Sequence, residues 1–579
     1  MEFIMKKVLL VAVNAKYIHS CPAVYSLRTA SGHAEAVQIA EFTINDRYQD
    51  ILAGILAYHA DIIGFSCYIW NTQIVTDLIA DIRALLGDTV ILYAGGPEAS
   101  YGPETFLESC DFVMSGEGEK PFALLMEAVA QEEPEFGDSE CSLPGQTDTA
   151  QTLNDIASAP EIKIAARTRT DELEKYGIRE FVRTLPGAVW KDGERIVYNP
   201  ITPEAGSDMN KIPFLYNDLG SFDNRIIYYE SSRGCPFRCT YCLSSIDKTV
   251  RFRDMETVKR ELQFFVDHKV PQVKFVDRTF NCDRKRAMEI WQYIADHDNK
   301  VTNFHFEIGA DLLGEEEIVL LKGLRSALIQ LEIGIQSTNP KTVEAIQRTM
   351  NFDRLRKNVL ALREAGNINL HVDLIAGLPY EGLISFAKSF NDVYALHADQ
   401  LQLGFLKVLK GTVMEQRAEE YGIRYSVRPP YEVLATKWIS YEELDRLRRV
   451  CDVLEMYYNS QQFIRTLRFL EENGGMADGA FAFFDRMADF FIETGYNKKR
   501  PSAAARYEVL DTFVTGLDLP EEQMKIFREY LRFDRLLHFH RSRGMAREET
   551  FDFGEGSVRI RFDYTTENPV SHEAGYVIC

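Results

Sequence analysis

The sequence predicts an α/β protein in three parts: a doubly wound, Rossmann-like sheet, a partial (β/α)6 barrel of the TIM type, and a mainly helical C-terminal domain. Three observations carry this. Short apolar runs alternate with amphipathic helices twice, once before about residue 135 and again from Arg225 to Phe405. Glycines crowd the ends of several runs, at Gly95-Gly96 and Gly116–Gly118. After about Tyr431 the alternation stops and helical periodicity takes over.

The elements follow in order. Lys7–Val13 is a continuous apolar strand ending in Asn14-Ala15-Lys16. Ile51–His59 reads as a helix, Asp61–Tyr68 as a buried strand and Val75–Leu86 as an amphipathic helix. Val90–Ala94 and Phe112–Met114 are further strands, each running into a glycine-rich turn. Such a sheet binds its ligand beyond the carboxyl ends of the strands. Glu132 to about Pro160 is acidic and aperiodic and reads as a surface excursion. Pro186–Pro200 looks like a small hairpin around Lys191-Asp192-Gly193. The second alternation places strands at Ile226–Glu230, Gln272–Asp277, Asn303–Gly309, Ala327–Ile335, Asn369–Ala376 and Gln400–Phe405. Its helices are Thr257–His268, Lys285–His297, Glu315–Lys322, Phe352–Ala365 and Phe386–His397. About six βα units fall short of a complete barrel. Beyond them, Tyr441–Tyr458, Ser460–Glu472, Phe481–Thr494 and Glu521–His540 are helical by periodicity, and Thr550–Tyr564 alternates around Gly554 and Gly556 as a hairpin. The divisions are 1–135, 136–220 (connecting region with hairpin), 221–430 and 431–579.

Length and charge set bounds. At roughly 150 residues per domain, 579 residues allow about four units. The chain holds 65 Lys and Arg against 87 Asp and Glu, a net charge of −22. Such a chain repels polyanions as a whole, which argues against bulk nucleic acid or an anionic membrane as partner. No cleavage-site pattern follows the apolar run Val8–Val13. Ile51–Trp70 carries His59 and Asp61 at its centre, so it reads as helix then strand rather than a membrane span. The expected location is cytoplasmic.

Seven of the ten cysteines are scattered. Cys235, Cys239 and Cys242 sit together as C-x3-C-x2-C in SSRGCPFRCTYCL, directly after the first strand of the second alternation. A structural zinc closes its tetrahedron with four protein ligands. Three thiolates suit a cubane iron–sulfur cluster with one iron left open for a substrate or cofactor.

This segment resembles the radical S-adenosylmethionine (SAM) superfamily, whose pattern is this triplet with an aromatic residue, here Tyr241, before the third cysteine. The resemblance implies that Cys235, Cys239 and Cys242 ligate a [4Fe-4S] cluster, that SAM chelates the open iron, and that an electron cleaves SAM to a 5′-deoxyadenosyl radical. Later strand ends fit the same resemblance. FVDR at 275–278 closes the second strand and FEIG at 306–309 lies on the third. LEIGIQS at 331–337 looks like the ribose-contacting segment, and HVDLIAGLP at 371–379 like the adenine-side segment. The implied SAM contacts are Tyr241, Asp277, Glu307, Gln336, Ser337 and Asp373.

The N-terminal unit resembles the cobalamin-binding domain that precedes one large class of radical SAM enzymes. The matching residues are Ser66-Cys67, Gly95-Gly96-Pro97-Glu98 and Gly116-Glu117-Gly118-Glu119. With Asn14 at the first strand end, the implied cobalamin contacts are Asn14, Ser66, Cys67, Gly95, Gly96, Pro97, Glu98, Gly116, Glu117 and Gly118. The D-x-H-x-x-G signature that supplies a histidine to cobalt is absent, and the corresponding loop reads NAKYIHS at 14–20. Cobalamin bound base-off, without His19 as ligand, is the expectation. NAKYIHS, GFSCYIWN at 64–71, YYESSRGCPFRCTYCLSS at 228–245, KFVDRTFNC at 274–282 and LIAGLPYE at 374–381 together resemble a bacterial group of cobalamin-binding radical SAM proteins with a dedicated C-terminal domain.

The resemblance implies a cytoplasmic enzyme that works with an electron donor such as flavodoxin or ferredoxin. The leading expectation is C-methylation of an unactivated carbon, the methyl passing from one SAM through cobalamin to a substrate carbon activated by a second SAM. The alternatives are a cyclisation, ring contraction or oxidation with the same cofactors, or a cobalamin or iron sensor. Two basic groups stand apart. Arg528, Arg532, Arg535, Arg541, Arg543 and Arg547 read as a solvated face. Lys248, Arg251, Arg253, Lys259 and Arg260 are a candidate seat for a phosphate or carboxylate.

Overall fold

The computed structural model describes residues 6–131, 177–201, 208–247, 249–538, 546–567 and 574–578. The acidic excursion Glu132–Pro160, Cys141, Cys579, Lys248, Arg541 and Arg543 lie in whole or part outside the described residues. Of two compact units, one takes residues 1–228, 251–261 and 428–430, and the other takes 229–250, 262–427 and 431–579.

The first unit is a seven-stranded sheet. Its strands are β1 (Val8–Asn14), β2 (Val37–Thr43), β3 (Ile62–Ser66), β4 (Ile91–Gly95), β5 (Phe112–Met114), β6 (Ala188–Asp192) and β7 (Arg195–Tyr198), in the order β2-β1-β3-β4-β5-β6-β7. The first five pair in parallel. β1 and β3 are buried along their whole length, which is why they read as unbroken apolar runs. Helix α1 (Pro22–Ala30) follows β1, α2 (Tyr48–Leu56) follows β2 and α3 (Thr72–Leu86) follows β3. α3 buries Val75, Leu78, Ile79 and Ile82, the helical stripe that the sequence displays, against Ile63, Phe65 and Leu92. The expected hairpin is present as β6 and β7, which pair antiparallel. β6 runs antiparallel to β5, pairing Val189 with Val113 and Ala188 with Met114. The 136–220 region thus contributes two strands to the N-terminal sheet, because β5 offers an unpaired edge that the hairpin covers.

The second unit is built on a six-stranded sheet. The barrel strands are Ile227–Tyr229, Gln272–Phe275, Asn303–Ile308, Ile329–Gln336, Asn369–Ala376 and Gln400–Phe405, and they neighbour one another in sequence order. Strands two to six pair in parallel. Helices Met255–Asp267, Arg284–Asp296, Glu315–Lys322, Phe352–Ala365 and Leu383–Tyr394 connect them. Phe306 packs on Trp291 of the second helix, so His305 and Glu307 face the other way, along the concave side. Ile329, Leu331, Ile333 and Ile335 are buried, and Gln330, Glu332, Gly334 and Gln336 alternate with them.

The C-terminal helices belong to this second unit. Helix Tyr441–Tyr457 opens on a capping box in which Ser440 and Glu443 exchange hydrogen bonds of 2.8 and 3.2 Å. Its Arg446 pairs through two nitrogens with Asp485 on helix Ala480–Glu493. The Phe481 amide bonds Asn391 Oδ1 of the fifth barrel helix at 2.8 Å. Asp534, fully buried on helix Glu521–His538, accepts from the amide and hydroxyl of Thr466 at 2.9 and 2.7 Å. A three-stranded antiparallel sheet of Arg547–Asp552, Ser557–Glu567 and Ala574–Ile578 ends the chain, one strand more than the expected hairpin. No helix among the described residues is long and apolar enough to cross a membrane.

Candidate cofactor sites

The cysteine loop is held from below by one buried carboxylate. Asp277 is 2% exposed just beyond the second barrel strand. It accepts the Ser231 amide at 2.8 Å, the Ser231 hydroxyl at 2.6 Å and the Ser232 hydroxyl at 2.6 Å. Burial pushes its carboxyl up, and the three donors pull it back. Asp277 therefore fixes the residues that lead into Cys235. Next comes Gly234 at φ +98°, where a Cβ would stand 2.1 Å from the Thr249 carbonyl oxygen, so only glycine fits. Further along, the Thr240 amide donates to Ile346 O at 3.0 Å, and Thr240 O accepts the Met414 amide at 2.8 Å.

On this loop Cys235 and Cys239 are buried and Cys242 is half-buried, all three as free thiols. Arg348, which sequence reasoning missed, lies against them. Its guanidinium donates to Tyr241 Oη at 3.2 Å, lies 3.7 Å from Cys239 Sγ, and also bonds Gly334 O. Burial raises the Cys239 thiol, and the Arg348 charge opposes that rise. Among the described residues no group of three or more His, Cys, Asp or Glu suits a single metal ion. A cubane makes a different demand, one thiolate for each of three irons. A mostly buried loop of three thiols with a fixed cation beside one of them fits that demand.

The concave face of the sheet continues from the loop as a polar surface. Gln336 stands after a bulge at φ +73°, an uncommon conformation for a side-chain-bearing residue, and its Oε1 is buried without a partner. Asp373 Oδ1 is likewise buried and unpartnered. Burial, then the charges of Glu332 and Glu307, push Asp373 up to about 8. Glu307, two strands over, is raised by burial and has no hydrogen bond or ion pair among the described residues. Three acceptors without donors fit SAM, which brings ribose hydroxyls, an ammonium group and an adenine amine. Ser337 is placed differently. It is fully buried, and its hydroxyl donates to Glu381 Oε1 at 2.7 Å, which gives it a partner inside the protein.

Deeper on the same face lies a network that sequence reasoning did not single out. Lys274 Nζ is 3.1 Å and His305 Nε2 3.0 Å from Glu332 Oε2. The His305 imidazole and the Lys274 ammonium hold the Glu332 carboxyl down to about 2. His371 lies within 3.3 Å of Gln330 Nε2, and burial lowers it to about 4. The available signal was alternation: polar residues at every second position of NFHFEI, IQLEIGIQ and NLHVDLIA, save Gly334 and Ile375.

In the first unit the strand-end residues are mostly engaged. Asn14 Nδ2 donates to Glu41 Oε1 at 2.9 Å. Ser66 accepts from Cys21 Sγ at 3.4 Å. Cys67 is fully buried in the core, and its amide donates to Gly95 O at 2.8 Å. Gly96, at φ +99°, lets the chain pass that point, since a Cβ there would stand 2.6 Å from Cys67 O. Pro97 starts the short helix Pro97–Tyr101, and Glu98 beside it is buried 3.5 Å from Thr72 Oγ1. Gly116 takes φ +83° and its amide bonds Ser100 Oγ at 3.1 Å; Gly118 packs on Leu27. Glu117 is paired through both oxygens with Arg251. Arg253 is buried, bonding Ile212 O at 2.9 Å and Glu261 at 3.3 Å. These pairings engage Arg251 and Arg253, two of the five residues offered as an anion seat. His19 Nδ1 lies 2.5 Å from Tyr228 Oη. On the strand-end loops Tyr17 and Trp70 are exposed, and Trp70 stacks on the half-buried Tyr68 with centroids 4.5 Å apart and planes 5° from parallel. Flat aromatic faces on strand-end loops fit a planar macrocycle such as a corrin.

Comparison with known proteins agrees with this geometry. Residues 7–126 match the B12 binding domain family, residues 229–393 the Radical SAM superfamily, and residues 419–549 a family described as Protein of unknown function (DUF4080). The chain is a cobalamin-dependent radical SAM protein. It is 22% identical over 443 residues to an uncharacterized methyltransferase from Pyrococcus horikoshii, covering 73% of this chain and 80% of that one. It is 24% identical over 406 residues to the cobalamin-dependent radical SAM methyltransferase TokK from Streptomyces tokunonensis, covering 65% of this chain and about half, 51%, of the relative. Among solved structures it shares its fold with the radical S-adenosylmethionine methyltransferase TsrM from Kitasatospora setae (TM-score 0.54, 16% identity, 74% of this chain and 80% of that). The cobalamin-dependent S-adenosylmethionine radical enzyme OxsB matches over more of the chain (TM-score 0.56, 14% identity, 92% of this chain and 79% of that).

Proposed function

We propose that this chain is a cytoplasmic radical SAM methyltransferase that places a methyl group on an unactivated carbon. The observation that carries the reading is the buried cysteine loop beside a concave wall of unpartnered acceptors, in a chain that also holds a B12-binding domain. With cluster, SAM and cobalamin bound, the cofactors supply a 5′-deoxyadenosyl radical and a transferable methyl group. The chain's own residues do the rest. Cys235, Cys239 and Cys242 hold the cluster, and Asp277 fixes the loop that carries them. Glu307, Gln336 and Asp373 accept hydrogen bonds from SAM and orient it. Arg348 holds Tyr241 and the Cys239 sulfur in place. Burial of the loop excludes water from a reactive centre. Relatives named as methyltransferases support the choice of reaction. The free thiols are consistent with a reducing compartment, and a flavodoxin or ferredoxin is the proposed electron donor.

Substrate is sought by comparing metabolites and modified peptides of a deletion strain with wild type. The reconstituted protein is then given that substrate and methyl-labelled SAM. Label in the product, together with 5′-deoxyadenosine, is expected. Deoxyadenosine without label transfer would move the chain to a non-methylating reaction.

A further inference from the structure

The sixth barrel strand, Gln400–Phe405, is the edge of its sheet, yet the segment around Val433 covers its mouth end. Leu406 donates its amide to Ala376 O at 2.9 Å, and Leu406 O accepts the Val433 amide at 2.8 Å. Val408 donates to Tyr431 O at 3.0 Å, and Lys407 bridges Glu432 in antiparallel fashion. Arg448 steadies this segment, donating to Glu432 Oε1 at 2.7 Å and to Val433 O at 3.3 Å. The covering residues fall within the 419–549 family match, to which no function is attached.

The same segment bears on the loop that follows the fifth strand. A Cβ on Gly377, at φ +86°, would stand 2.6 Å from Val433 Cγ1, so the valine isopropyl lies directly on the backbone there. A Cβ on Gly382 would stand 2.7 Å from Trp438 O. Between them Tyr380 holds φ +63°, its ring 4.4 Å from the Trp438 ring, and its carbonyl accepts Asn339 Nδ2 at 2.9 Å. Side-chain-bearing residues persist in the left-handed region only where their surroundings over-determine them. Here those surroundings include Val433 and Trp438 beside Asn339 and Tyr421.

We propose that Val433 and Trp438 are positioning residues: the C-terminal domain clamps the loop Gly377–Gly382 and thereby holds the strand-five end that presents Asp373. Its bearing on SAM rests on the reading of Asp373 as a SAM contact. The clamp itself does not, and the experiment separates the two. Hydrogen exchange is followed in the full chain with its cluster reconstituted, for wild type, Val433→Gly and Trp438→Ala. The peptide covering residues 374–386 is expected to exchange at least 10-fold faster in both variants, with the iron–sulfur absorption unchanged. Equilibrium dialysis with SAM itself is expected to show affinity at least 5-fold weaker. Loosening of the loop with unchanged SAM affinity would keep the clamp and remove the loop from the SAM site. Protection across Tyr441–Tyr457 reports whether the C-terminal domain stays folded; if Val433→Gly loses it, Val433→Ala and Trp438→Ala decide. Unchanged exchange of the loop peptide in the folded variants would overturn the proposal.

Discussion

The strand ends of the two sheets solve different problems. Those of the N-terminal sheet are closed by their own chain: Cys67 is core, Glu98 sits against Thr72, Glu117 is paired with Arg251, and Gly96 exists to let the backbone past Cys67. What they offer outward is shape, in glycine turns and the Tyr68–Trp70 stack. Those of the barrel sheet leave chemistry unfinished. Gln336 Oε1 and Asp373 Oδ1 are buried without donors, and three thiols share one loop. The difference teaches that side-chain substitutions at the barrel strand ends should cost cluster or SAM binding whatever they do to stability, whereas substitutions at the first sheet's strand ends should cost stability alone.

Four substitutions sharpen or break that contrast, in falling order of effect. Asp277→Ala leaves three donors buried without an acceptor, at about 1–3 kcal/mol each. The variant is expected to lose several kcal/mol and most of its cluster, read by urea unfolding and iron content. Full iron loading would show that the loop does not depend on Asp277. Gly96→Ala is expected to cost about 2–3 kcal/mol through strain and collision with the Cys67 carbonyl, while the cluster loads normally. A drop in iron content without a drop in stability would erase the contrast.

Asp373→Asn tests the wall through pH. The Asp373 carboxyl is raised to about 8 in the fold. Between its ordinary carboxylate value and about 8 the folded state therefore holds a proton that the unfolded state has lost, so stability falls as pH rises through that window. Relative to wild type the asparagine variant should gain on the order of 2 kcal/mol between pH 5 and pH 8, measured by thermal unfolding of the apoprotein. A pH-independent difference would mean that Asp373 is ionised throughout. Glu332 has the opposite sign: it is held at about 2, so its contribution is present above the normal glutamate range and is lost only as pH falls towards that value. Glu117→Gln should matter least, under about 1 kcal/mol, because the pair with Arg251 is partly solvent-exposed.

Much of this was legible in advance. The fifth and sixth barrel strands and helices Glu315–Lys322 and Phe352–Ala365 fall on the residues that periodicity selects. β2 was not seen, since as an edge strand it buries only Val37 and Ala40 and carries no strong apolar run. Helix Ala505–Thr515 was not seen either, its apolar residues being spread around the helix. Of the site, the three cysteines and the acceptors Glu307, Gln336 and Asp373 were visible as residue types at strand ends. Direction was not: that Ser337 turns inward to Glu381 and Cys67 into the core is set by packing. Arg348 escaped because it reaches the cysteine loop from more than a hundred residues away. The Lys274–Glu332–His305 network needed the register of three strands.

The central claim is that the buried triplet on the barrel loop performs reductive cleavage of SAM. The most direct measurement is 5′-deoxyadenosine formed from SAM and dithionite by the reconstituted full-length protein, compared with Cys239→Ala under the same conditions. The account predicts deoxyadenosine from the wild-type chain and its loss, by at least about a hundredfold, in the variant. Deoxyadenosine at equal rates from both, or none from a fully iron-loaded wild-type chain, would contradict it.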